Sequence, residues 1–416
     1  MFGRGLPAPQ GSYNSIFMAN SRSDKPAAPA PTENLLRSRM PELDTIRGIA
    51  VLLVLFFHGF GFRYGLRGLS GFPKLFVAAT LPGWMGVNLF FVLSGFLITG
   101  ILLDTKSKAD YYRRFYVRRA LRILPLYYGV LILLAVAART GLVDRKASWA
   151  FLGLSFLYLS NVTELFGVTM QYGVLWSLSV EEHFYLLWPA AVRSLSRHGV
   201  MIAGIIICII CPCLRGFYVV RGYDVGNGYT WLVADGLATG AVLATLARGR
   251  WGSRVGMWRV TAILFGASLF MFAAGYPFGI FLVSRFLGVT LRETALNLFF
   301  AGTIGLALLV GTSGWKAIVN RPVLQFFGEI SYCVYLIHML VFDLEDHFVA
   351  KWCPSLSSPA GHFGQMVFLF VIAAIVTVAV ASLSRWYFEE PFLRMKGRFE
   401  RSVTKSKDVS EAASGH

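Results

Sequence analysis

The chain has 416 residues, of which 56% are hydrophobic and only 15% charged, with a mean hydropathy of +0.59. That balance excludes a water-soluble globular domain and indicates a membrane protein. The formal charge of +17 would suggest nucleic acid in a soluble chain. Between membrane spans, however, lysine and arginine set topology, so no nucleic-acid partner is expected.

Residues 1–40 are rich in Pro, Ala, Ser and Asn with scattered charge. Such a composition buries too little surface to fold and reads as a disordered cytoplasmic tail. The first apolar run begins too late for a signal peptide. A helix needs roughly 20 apolar residues to cross a bilayer core of about 30 Å. Runs of that kind place spans at 45–62, 84–103, 120–139, 174–192, 200–219, 229–247, 260–278, 293–312, 325–345 and 365–388. The segment 149–163, WAFLGLSFLYLSNVT, is too short to cross and reads as interfacial or re-entrant. Charge agrees with that choice. With both termini cytoplasmic, the inner connections gather Arg113, Arg114, Arg118, Arg119, Arg122, Arg248, Arg250, Arg254 and Arg259. Letting 149–163 cross would move the last four outside, against the positive-inside rule. The expected fold class is therefore all-α, a polytopic transmembrane helix bundle of about ten spans plus one short segment. A membrane-embedded domain over 41–394 is followed by a polar cytoplasmic tail over 395–416. The five cysteines suggest no disulfide framework, and Cys208, Cys211 and Cys213 in CIICPC read as small apolar residues rather than metal ligands.

The first span, LDTIRGIAVLLVLFFHGF, carries Arg47 and His58. Eleven residues are about three helical turns, so the two share a face, about 16 Å apart along the axis. They could line one channel. Alternatively, Arg47 snorkels to headgroups and His58 bonds a neighbouring helix. The second span adds Asn88 and Ser94. The Asn88 amide could orient a catalytic group, donate to an oxyanion or bond another helix. In YYRRFYVRRALRILPLYY, Arg114, Arg118, Arg119 and Arg122 form a basic run. Arg118 and Arg122, four apart, are expected on one helix face, and guanidinium forks held in this way suit phosphate.

LWSLSVEEHFYLLWP places Glu181, Glu182 and a histidine inside an apolar span. A carboxylate at helix centre costs about 2.5 to 3.5 kcal/mol to insert, so a partner or a water-filled site is required. Glu181 shares its face with Ser177, Tyr185 and Trp188, a polar and aromatic stripe suited to a site wall. A structural ion pair with Arg47 is the alternative. Further on, WLVADGLATGAVLA holds Asp235, and ISYCVYLIHMLVF holds Tyr332 and His338. In the ten-span topology His58, Glu181 and His338 all fall in the outer half of the bilayer, opposite the arginines.

Taken in order, LDTIRGIAVLLVLFFH, GVNLFFVLSGFLI, FYVRRALRILPLYY, LWSLSVEEHFYLLWP, ADGLATGAVLA, ISYCVYLIH and FEEPFLR give the chain a resemblance to acyltransferase family 3, membrane-bound O-acyltransferases that modify surface polysaccharides and other hydroxylated acceptors, a lipid or small-molecule hydroxyl being the alternative here. The resemblance implies an acyl-CoA donor, acetyl-CoA above all, and a carbohydrate or lipid-linked glycan acceptor, in a bacterial inner membrane. It implies His58 as catalytic base or transient acyl carrier, with Arg47 beside the channel. Arg114, Arg118, Arg119 and Arg122 are then expected to hold the phosphates of acyl-CoA. Glu181 is expected to hold the His58 tautomer, and Asn88 or Tyr185 to steady the oxyanion. Ser94, Glu182, Tyr332 and His338 are expected along the substrate path, a polar conduit that joins the two membrane faces. Members commonly carry Asp at the position of Asn88, and many have an acid shortly after the histidine, where this sequence has Arg63. Two rival readings use the same residues. One is a proton-coupled transporter, since intramembrane Glu, Asp and His also form proton relays. The other is a non-enzymatic partner in polysaccharide assembly.

Overall fold

A computed structural model describes residues 35–37, 39–142, 147–225, 228–353 and 362–392. The expected tails at 1–40 and 395–416 lie almost wholly outside these residues. The described chain is helical throughout, with no strand among the described residues, as required where no water can satisfy backbone groups.

Helix α1 (Pro41–Phe56) begins with Pro at its first position and continues into a π-helical turn over Phe57–Phe62. Then come α2 (Gly71–Thr80), a 3₁₀ turn (Leu81–Met85) and α3 (Gly86–Thr105). Helix α4 (Tyr111–Thr140) carries the arginine run in its first turns and ends at Gly141 in the left-handed region. The segment expected not to cross forms α5 (Trp149–Phe156) and a 3₁₀ stretch (Ser160–Phe166). Eight helical residues reach only about 12 Å, well short of a bilayer core. Next are α6 (Leu175–Ser194), α7 (Arg197–Val220), the short α8 (Thr230–Val233) and α9 (Asp235–Ala247). The chain continues with α10 (Arg254–Gly275), α11 (Phe286–Gly311), α12 (Lys316–Val319), α13 (Pro322–Trp352) and α14 (Phe363–Leu383).

All ten expected spans fall on helices. Among the described residues, eight helical stretches are long and apolar enough to cross a membrane. The two outside that set are α6, which carries Glu181, Glu182 and His183, and α9, only 13 residues long. Both are packed among other helices, where apolar length matters less than satisfied polar groups.

Two seams set the bundle. Helix α1 packs along α13, and α3 along α9. At both, glycine lets backbones touch, as in membrane helix pairs generally. A Cβ on Gly48 would lie 1.9 Å from the Leu324 carbonyl oxygen, and one on Gly328 would lie 2.1 Å from that of Asp44. At the second seam, a Cβ on Gly95 would meet the Leu237 carbonyl and one on Gly240 that of Val92, each at 1.9 Å. Because these obstacles are backbone, neither helix can yield without separating from its partner. Gly328→Val is expected to cost about 1–3 kcal/mol or more through overpacking, read as a lowered unfolding temperature in detergent. Substitution of Gly266, whose Cβ would meet nothing within 4 Å, is expected to leave that temperature unchanged.

Candidate active site

The π-helical turn places His58. Its Nδ1 lies 3.1 Å from the Val54 carbonyl oxygen and 3.2 Å from Nε2 of His338. On α13, Nδ1 of His338 lies 3.0 Å from the Val334 carbonyl oxygen. A carbonyl only accepts, so His338 carries its proton on Nδ1 and presents Nε2 as an acceptor. The Nδ1 of His58, facing a carbonyl and that acceptor, must be the protonated nitrogen. Neutral His58 therefore carries its lone pair on Nε2, the tautomer a general base needs.

Five residues beyond His58, Arg63 donates to Glu345 Oε2 at 2.8 Å and pairs with Asp346. Glu345 and Asp346 lie two turns beyond His338 on the same helix, so this clamp and the imidazole contact fix α1 and α13 in register. Beside it, burial pushes the Tyr64 phenol up to about 12.

His58 lines a cavity of about 720 Å³ with Asn88, Trp84, Trp176, Arg215, Asp235, Arg292 and Glu293. Buried Arg215 on α7 and Asp235 on α9 form a bidentate pair at 2.9 and 3.2 Å. Thr294 accepts from Arg215 at 2.8 Å and donates to Asp235 at 3.1 Å. Arg292 lies 4.4 Å from the Trp84 ring centroid and 3.1 Å from Glu293.

A second cavity, of about 320 Å³, is lined by Asp44, Arg47, Ser94, Arg119, Arg122, Glu181, Glu182, Tyr185, Tyr332 and Tyr335, among others. Glu181 accepts from Ser94 at 2.9 Å and from Tyr185 at 3.0 Å. Arg47 pairs with Asp44 at 3.0 Å, Arg119 lies over the Tyr185 ring at 4.5 Å, and Tyr332 donates to the Ile123 carbonyl at 3.1 Å. The two cavities share Val87, Phe91 and Tyr335 in their linings.

Several expectations are corrected by this geometry. Arg47 and His58 line different cavities, as their separation of about 16 Å along the helix allows, rather than one channel. Glu181 and Tyr185 do not attend His58; they bond each other beside the arginines, and His58 is oriented by Val54 and His338 instead. Asn88 does share the His58 cavity, but its amide nitrogen donates to Glu293 at 2.6 Å and to Asn297 at 3.2 Å. Both N–H groups are therefore spent, and no oxyanion donor remains on it. Of the arginine run, Arg119 and Arg122, three apart, face the cavity, whereas the expected face was Arg118 with Arg122. Arg114 binds Asp110 at 2.8 Å and holds that carboxyl below its usual range. The expected conduit corresponds to these two cavities, which adjoin at Val87, Phe91 and Tyr335. Glu182, Tyr332 and Ser94 lie in the arginine cavity, and His338 at the histidine.

Arg215, Arg292 and Glu293 are cavity groups that the sequence reading does not single out, because arginine near the end of a span reads as a topology charge. The signal was present. Glu293 and Asn297 are four apart in an apolar helix, and Arg215 follows an apolar run that continues beyond it.

Comparison with known proteins agrees with the residue pattern. The model of an acyltransferase domain matches residues 40–386. The chain belongs to this acyltransferase family. It is 30% identical over 172 residues to the peptidoglycan O-acetyltransferase OatA of Listeria monocytogenes, covering 38% of this chain and 25% of that protein. It is 27% identical over 402 residues to YrhL of Bacillus subtilis (88% of this chain, 56% of that protein). With nodulation protein 10 of Rhizobium leguminosarum bv. viciae the identity is 25% over 383 residues, 85% of this chain and 93% of that protein. The match thus spans a quarter to about half of the first two relatives and nearly all of the third. No solved structure matches.

The pairing across the histidine cavity makes a stability prediction. Arg215→Leu leaves Asp235 buried and unpaired, which is expected to cost about 3–5 kcal/mol. Arg215→Leu with Asp235→Leu should recover much of that loss, because no lone charge remains. Thermal unfolding of the three proteins in detergent checks both expectations.

Proposed function

We propose that this acyltransferase moves an acyl group, acetyl in the first instance, from acyl-CoA to a hydroxyl of a carbohydrate acceptor. The observation that carries the reading is the tautomer of His58: its Nδ1 is held by Val54 and His338, so Nε2 is the basic nitrogen in a cavity large enough for an acceptor. In the reaction, His58 Nε2 takes the acceptor O–H proton while the hydroxyl oxygen attacks the thioester carbonyl carbon. The tetrahedral intermediate collapses with cleavage of the C–S bond, and the leaving thiolate takes the proton from His58, giving an ester and CoA. His338 stabilises the imidazolium formed in between, through its unprotonated Nε2.

The donor enters from the arginine-bearing face, which this reading places in the cytoplasm of a bacterial cell, with the acceptor on the opposite side of the inner membrane. Both chain termini are then cytoplasmic. The name of one relative, a peptidoglycan O-acetyltransferase, supports a cell-envelope carbohydrate acceptor. On this reading the thioester reaches His58 past Val87, Phe91 and Tyr335, where the two cavities adjoin.

Membranes carrying the protein, supplied with labelled acetyl-CoA and cell-wall or surface glycan, test this. His58→Ala is expected to lower transfer by about a hundredfold or more. His338→Ala is expected to lower kcat while leaving KM for the donor unchanged. Full transfer by His58→Ala would remove the base from the mechanism, and acceptor flux without any acyl donor would favour a transporter.

A further inference from the structure

The charges that line the arginine cavity do not describe a phosphate site. Arg47, Arg119 and Arg122 are matched by Asp44, Glu181 and Glu182, so the lining is formally neutral. A polyanion gains nothing net from such a wall and is repelled by the carboxylates within it. What the cavity does hold is unspent hydrogen-bonding capacity of both kinds. Arg119 and Arg122, donors only, make no ion pair with a described residue, and neither does Glu182, an acceptor only. Glu181 spends two of roughly four acceptor positions on Ser94 and Tyr185. Phe90, Phe91, Leu97 and Ile101 supply apolar wall between these groups.

We infer that this cavity is the subsite for the amide-bearing pantetheine arm of the donor, with Glu182 and Glu181 accepting from its amide N–H groups and Arg119 and Arg122 donating to its carbonyls. The inference rests on the proposed use of acyl-CoA. A neutral chain with two secondary amides offers alternating donors and acceptors, the complement of a wall that pairs carboxylate with guanidinium. A cavity of about 320 Å³ is at the small end of ligand pockets, and a nucleotide with three phosphates must lie outside it. Arg113, Arg114 and Arg118 precede Arg119 on α4 and are not in the cavity lining; the nucleotide head is assigned to that end of the helix. Glu181 and Glu182 are thus positioning residues that act on the donor arm, not on the reacting atoms.

Truncated donors separate arm from head. KM and kcat are measured for acetyl-CoA and for S-acetylpantetheine, which has the arm and no phosphates. Glu182→Ala and Arg122→Ala, on different helices, are each expected to raise KM about tenfold or more for both donors alike, the loss of a charged hydrogen bond. Glu182→Gln, which keeps an acceptor oxygen, should recover part of the loss. Arg114→Ala with Arg118→Ala should raise KM for acetyl-CoA alone. If Arg122→Ala weakens acetyl-CoA but leaves S-acetylpantetheine unchanged, the cavity holds phosphate and the inference is overturned. If the wild-type protein accepts acyl groups from neither donor, the acyl-CoA reading itself fails and takes the subsite with it.

Discussion

Direct backbone contact between α1 and α13 is the constraint on which the site depends. Gly48 and Gly328 remove the side chains that would hold the two helices apart. Only at that separation can imidazoles from the two helices meet at 3.2 Å. The Arg63 clamp to Glu345 and Asp346 then prevents one helix from sliding along the other. A shift of one helical residue, about 1.5 Å, would break the His58–His338 contact. The basic nitrogen of His58 would then no longer be fixed. Packing here is a condition of the chemistry, because the tautomer of one residue is set by the position of another helix.

The π turn at Phe57–Phe62 belongs to the same logic. His58 is the second residue of this turn, so the α-helical pitch from Arg47 carries it almost to its position. About 16 Å apart along the axis, Arg47 serves one cavity and His58 the other. Such local widening is often found at functional sites, and it has no strong sequence signature. Glycines 59 and 61 within the turn are compatible with it but do not require it.

Much of the architecture was legible in the sequence because membrane helices announce themselves by apolar length, and the short segment after α4 by its lack of it. The identities of the polar intramembrane residues were legible for the same reason: each costs free energy to insert, so Arg47, His58, Asn88, Glu181, Asp235 and His338 stand out from hydrocarbon. Their partners were not legible. Pairing depends on helix rotation and tilt, which one strand of sequence does not specify. Glu181 could be assigned to His58 only by assuming a rotation, and the structure turns it to Ser94 and Tyr185. Arg215 shows the converse case, since a position near a span end reads as a topology signal until the fold brings Asp235 beside it.

The side chains common to both cavities bear on what a membrane must prevent. A permanently open passage lined by arginine, glutamate and histidine would conduct water and protons. Where the two cavities adjoin, Val87 and Phe91 from α3 supply apolar side chains, and Phe91 makes an edge-on contact with Trp176 at 5.9 Å. Tyr335 is the polar member, and its hydroxyl lies 2.6 Å from that of Ser177 on α6. The Ser177 hydroxyl also reaches the Val174 carbonyl at 3.2 Å, which leaves Tyr335 as the donor in their shared bond. One such hydrogen bond contributes about 0.5–1.5 kcal/mol net. That is small beside the charge-assisted contacts available to a ligand in the arginine cavity. The side chains common to both cavities are thus mostly apolar and held by weak contacts, so a bound ligand can displace them at small cost.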